Sequence, residues 1–105
     1  VEVVNKYTLA CQGQFDAWFF TGGWPLFAPL ERLEALKNFP GKIVSFDSFE
    51  PMLPYVKTGI VDALVGQNFA KMGADSVSML HAVITKGASF QEFTDAGLDV
   101  IMAGK

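Results

Sequence analysis

Four residues carry most of the chemistry this 105-residue sequence offers: Thr21, Trp24, Asp47 and Gln67. A carboxylate accepts from two vicinal hydroxyls, a side-chain amide donates and accepts at once, and a hydroxyl does either. An indole face covers the apolar C–H side of a pyranose ring. Such a set suits a sugar. Each residue alone has an ordinary explanation: Asp47 and Ser48 capping the next helix, Gln67 an incidental loop residue, Trp24 part of the core. What joins them is position, since all fall where a strand hands over to a loop.

Signs of catalysis are missing. His81 is the only histidine, mid-helix and off the apolar stripe, which makes it a solvated side chain. Cys11 is the only cysteine, a small packing residue near a helix end that has no partner for an internal disulfide. One His and one Cys far apart support neither a metal cluster nor a Cys–His pair. There is no Gly-x-Ser-x-Gly and no phosphate loop ending in Gly-Lys-Ser/Thr. Gly22-Gly23 reads as turn glycines, and Glu31 and Glu34 as a solvated helix surface. No enzyme activity, metal or cofactor is expected.

The elements that must position the four residues follow from short apolar runs alternating with amphipathic stretches. Val1, Val3, Val4 and Tyr7 suit the tail of a helix, which Gln12-Gly13-Gln14 breaks. Phe15 to Thr21, rich in aromatics and closed by glycines, reads as a buried strand, with Trp18 inside it. After the Gly22–Pro25 turn, Leu26, Leu30, Leu33 and Leu36 mark a helical face. Pro29 either sits near the start of that helix or separates it from a turn over residues 24–28. Lys42 to Asp47 is the second strand, and Ser48 is placed to cap a short helix with Pro51 in its first turn. Val61 to Gln67 is the third strand. Residues 69–86 form the clearest helix, striped by Phe69, Met72, Val77, Leu80, Val83 and Ile84 and stopped at Lys86-Gly87. Leu98 to Met102 is a final strand. Strands separated by helices predict an α/β fold with a parallel sheet and flanking helices. Ligands of such sheets bind beyond the carboxyl ends of the strands, which is where Thr21, Trp24, Asp47 and Gln67 lie.

Composition sets the outer bounds. Half of the residues are hydrophobic, so a core is affordable at this length and disorder is excluded. A net charge of −3 with scattered cations argues against a nucleic-acid partner. No apolar run approaches the ~18 residues that span a bilayer. The chain opens at Val1 inside a helical pattern without a starting Met, and further residues upstream are expected.

Several stretches resemble the type I periplasmic sugar-binding proteins. These are Gly59-Ile-Val-Asp-Ala-Leu-Val-Gly-Gln67, Met72-Gly73 with the long helix to Lys86-Gly87, Phe15 to Phe20, Lys42 to Asp47, and Leu98 to Lys105. The resemblance covers nearly the whole chain, and its strength lies in the order and spacing of the motifs. It implies a two-lobed fold of which this chain is a C-terminal part. Residues 1–67 and 98–105 would belong to the C-terminal lobe, and 68–97 would cross to the N-terminal lobe. Asp47 matches the family's ligand aspartate and Gln67 a ligand glutamine at the crossover. Where ribose-type members place an Asn-Asp pair, this chain has Gly22-Gly23 and then Trp24-Pro25, so a polar ligand is lost and Trp24 becomes the ring-stacking candidate.

The function so implied is that of the solute-binding component of an ABC-type sugar importer. It works in the periplasm or outside the membrane and delivers its sugar to a membrane permease. The effector-binding domain of a LacI-type transcription regulator shares the fold and is the alternative. A small flavodoxin-like enzyme or a receiver domain is a weaker reading; the receiver wants an acidic cluster at one strand end, and only Asp47 stands convincingly there. The stripe of residues 69–86 also predicts self-association of a chain lacking the other lobe.

Overall fold

The computed structural model describes residues 1–104. In chain order, its main elements are α1 (Glu2–Ala10), β1 (Ala17–Phe20), α2 (Glu34–Lys37), β2 (Lys42–Phe46), α3 (Leu53–Lys57), β3 (Ala63–Gln67), α4 (Phe69–Lys86) and β4 (Leu98–Met102). The strands form one four-stranded sheet in the order β1-β2-β3-β4, with β1–β2 and β2–β3 both parallel. Phe20 stands beside Ser45, and Phe46 beside Val65, so β1 and β2 end at adjacent points of one sheet edge. The chain divides into two compact units, Val1–Gly66 with residues from Val100 onward, and Gln67–Asp99.

The core of the first unit is made of Leu26, Leu33, Leu36, Ile43, Met52, Tyr55, Val61 and Leu64, each at most 1 % exposed. Burying side chains of this size contributes roughly 1.5–3 kcal/mol apiece before conformational entropy is counted. In β2 the buried residues are Ile43 and Ser45, alternating with half-buried Val44 and Phe46, the period of a sheet more open on one face than on the other.

The leucine face over residues 26–36 is inward as its spacing requires, but it is not one helix. Two 3-10 turns, Trp24–Phe27 and Leu30–Leu33, precede the single turn of α2. The break falls at Ala28 and Pro29, both extended, because a residue before proline is forced out of the helical region. Pro29 thus separates two turns, the second of the two options open in the sequence.

Three expectations are corrected. Over residues 15–21 only Phe20 is fully buried, and Phe19 is 55 % exposed, because β1 is the edge strand with a neighbour on one side only. Trp18 is half-buried, and its indole N–H donates to Thr8 Oγ1 at 3.0 Å. Ser48 does not cap the following turn: its N-cap is Phe49, with extended backbone and no side-chain bond, and Pro51 supplies the preset φ at the turn's start.

The second unit is dominated by α4, which spans the expected residues 69–86 and stops at Gly87 as the Lys86-Gly87 signal predicts. The Asn68 side chain accepts from the Lys71 N–H at 3.0 Å, and Gly87 closes the helix in the left-handed region at φ 65°. None of its residues is fully buried, and Val77 and Ile84 are 71 % and 74 % exposed.

Candidate functional site

Two strand ends build the candidate site. β1 stops at Phe20 and delivers exposed Thr21, buried Gly22 and Gly23, and then Trp24. β2 stops at Phe46 and delivers Asp47. The Asp47 N–H continues the ladder by donating to Val65 O at 2.8 Å. The residue itself turns into the left-handed region at φ 75°, the only non-glycine among the described residues to do so. Aspartate tolerates that region better than most residues, but the conformation still costs of order 1 kcal/mol. The compensation is visible: the Gly23 N–H donates to Asp47 Oδ2 at 3.0 Å, a charge-assisted bond that locks the two loops together.

Gly23 is required by space rather than by backbone angle. A Cβ on Gly23 would lie 2.7 Å from Met52 Sδ and 3.1 Å from Asp47 Cβ. A Cβ on Gly22 would collide with the six-membered ring of Trp24, so the indole lies directly over that residue. Trp24 nevertheless remains 73 % exposed. An indole held over a glycine and open to solvent is a flat apolar plate beside a carboxylate. Two aromatic pairs join the same two segments: Phe27 meets Phe49 edge-on at 5.6 Å between centroids, and Phe19 meets Phe46 at 5.8 Å.

Of the four residues singled out in the sequence, Thr21, Trp24 and Asp47 therefore lie in the first unit, on the loops that leave adjacent strands. Gln67 is the exposed last residue of β3 and the first residue of the second unit. The sequence reading undervalued Gly22, Gly23 and Met52. The doubled glycine after a strand was the available signal, since it marks a close backbone approach as well as a turn. Met52 carried none, because its place beneath Gly23 depends on a fold contact. Among the described residues no group of His, Cys, Asp and Glu side chains is arranged to hold a metal.

No family model matches the sequence, and no curated protein matches it. Solved structures do match its fold. A carbohydrate-transporter solute-binding protein from Agrobacterium radiobacter, solved with D-arabinose, superposes with a TM-score of 0.76 at 20 % identity. The match covers 96 % of this chain and 34 % of that one. An ABC-transporter solute-binding protein from Burkholderia graminis, also with D-arabinose, gives 0.78 at 21 % identity over 96 % and 36 %. A glucose-galactose binding protein from Geobacillus stearothermophilus gives 0.73 at 18 % over 95 % and 37 %. This chain thus has the α/β fold of the sugar-binding solute-binding proteins of ABC transporters, over about a third of their length.

Proposed function

We propose that this chain is part of the C-terminal lobe of a sugar-binding protein that serves an ABC-type importer in the periplasm or at the outer face of the membrane. Residues 68–97 would cross to the other lobe, and a membrane permease would receive the loaded protein. The observation that carries this reading is the joint at the strand ends: the Asp47 carboxylate fixed by the Gly23 N–H, beside an exposed indole on the next loop. Asp47 would accept from sugar hydroxyls, Trp24 would cover the ring's C–H face, and Thr21 and Gln67 would add polar contacts. Two of the solved structures sharing the fold are transporter solute-binding proteins holding a pentose, which supports the importer over a regulator.

Calorimetry with a panel of neutral monosaccharides, on the longest form of the protein that contains this chain, tests it. Losing a hydrogen bond to a charged group costs about 1.5–3 kcal/mol, so Asp47→Ala should weaken binding by roughly tenfold or more. Glu34→Ala, on an exposed helix surface, should leave affinity unchanged. Trp24→Ala should weaken binding while the fold persists. Unchanged affinity in the Asp47 variant would remove that residue from the site.

A further inference from the structure

A recess lies at the opposite end of the strands from Asp47, where β1 and β2 begin. Its volume is about 640 Å³, within the ~300–1,000 Å³ range of small-molecule sites. The connection from α1 to β1 forms one wall and that from α2 to β2 the other. The two walls are tied. The Lys42 N–H donates to Asp16 O at 3.2 Å, and Gly41 approaches Asp16 O so closely that no Cβ would fit. Phe15 and Phe39 stack across the join, with centroids 5.2 Å apart and an interplanar angle of 25°. Buried Thr8 and Ala35 line the same recess. The Thr8 hydroxyl is already engaged, donating to Val4 O and accepting from Trp18 Nε1. The recess is therefore preformed, and its Thr8 hydroxyl is satisfied without a ligand.

Its charge is one-sided. Asp16 is the only acidic residue in the lining, Gln12 and Asn38 add neutral amides, and no Lys or Arg takes part. Two lysines border the lining in sequence without joining it, Lys37 before Asn38 and Lys42 after Gly41, and Lys42 extends its ammonium to Asp62 at 3.3 Å. The carboxyl end of α1 opens onto the recess through Gln12 and Gly13, which adds the partial negative charge of a helix terminus. Aromatic rings beside a carboxylate attract cations through their faces and repel anions. We propose that this recess binds a small organic cation bearing an apolar ring or methyl groups, independently of the candidate sugar site.

The test is a titration of the isotopically labelled 105-residue chain followed by amide chemical shifts. The probes are benzyltrimethylammonium, benzyl alcohol as a neutral ring and phenylacetate as an anionic one. The cation should bind about tenfold more tightly than the alcohol, a ratio set by one charge contact, with phenylacetate weakest. Shifts should concentrate in residues 12–16 and 38–41. Asp16→Asn, an exposed and nearly isosteric change, should erase the preference for the cation while leaving the spectrum of the unliganded chain intact. Equal binding of cation and alcohol, shifts centred on Trp24 or Phe27, or a cation preference that survives Asp16→Asn would each overturn the proposal.

Discussion

Asp47 holds a backbone conformation that glycine adopts freely and other residues seldom do, and it does so where its carboxylate meets a backbone N–H of the neighbouring loop. Strain of this kind survives only where its surroundings over-determine it. Here the surroundings are Gly23, whose missing side chain lets Asp47 and Met52 close in, and Met52 itself, which is fully buried. Gly23→Ala should therefore destabilise the first unit by about 1–3 kcal/mol, the usual cost of inserting a methyl into a packed core. A urea-denaturation midpoint equal to that of the parent would mean that the loop moves aside without strain. Gly22 differs, since what an added methyl would displace is an exposed indole.

At the scale of elements, the short helices are fastened by side chains rather than by length. α3 has five residues, too few to be stable alone, and Tyr55 is its anchor. The Tyr55 ring is 1 % exposed, and its hydroxyl donates to Ala28 O in the extended break before Pro29. Burial raises the Tyr55 pKa above 10.0, and the charge of Glu31 raises it further. The neutral phenol is thus the folded form. Its contribution to stability is complete below about pH 10 and declines as pH rises from there through the folded pKa, because the unfolded chain ionises first. Tyr55→Phe should cost about 0.5–1.5 kcal/mol at neutral pH through the lost hydrogen bond. It should also flatten part of the alkaline decline. Denaturation of both proteins between neutral pH and about pH 11 measures the difference, and parallel declines would show that Tyr55 does not cause it.

For the molecule as a whole, the imbalance between its two units matters most. The first has a closed core; the second carries an 18-residue helix with no fully buried residue and with Val77, Leu80 and Ile84 all more than half exposed. Both helix ends are capped, so the helix itself is well specified while its apolar stripe lacks cover within its own unit. Apolar stripes of this length drive association. The 105-residue chain should sediment above its 11.4 kDa monomer mass, increasingly so with concentration, and Val77→Glu with Ile84→Glu should restore the monomer. A parent chain that stays monomeric at all concentrations would show that the stripe is tolerated in water.

The sequence by itself determined the order and type of nearly every element, because the relevant signals are local. α4 runs from Phe69 to Lys86 as its apolar period and its Lys86-Gly87 stop require, and β4 spans Leu98–Met102 as its apolar run does. The strand ends that carry Thr21, Trp24 and Asp47 were legible for the same reason. Only the tertiary structure decided what depends on neighbours distant in the chain. β1 leaves Phe19 exposed because of its place at the sheet edge, which no pattern within residues 15–21 encodes. The role of Gly23 depends on Asp47 and Met52, residues 24 and 29 positions away, and so does the left-handed turn at Asp47. Local preference fixes where a chain turns and what it can form; packing between remote segments fixes which side chains meet.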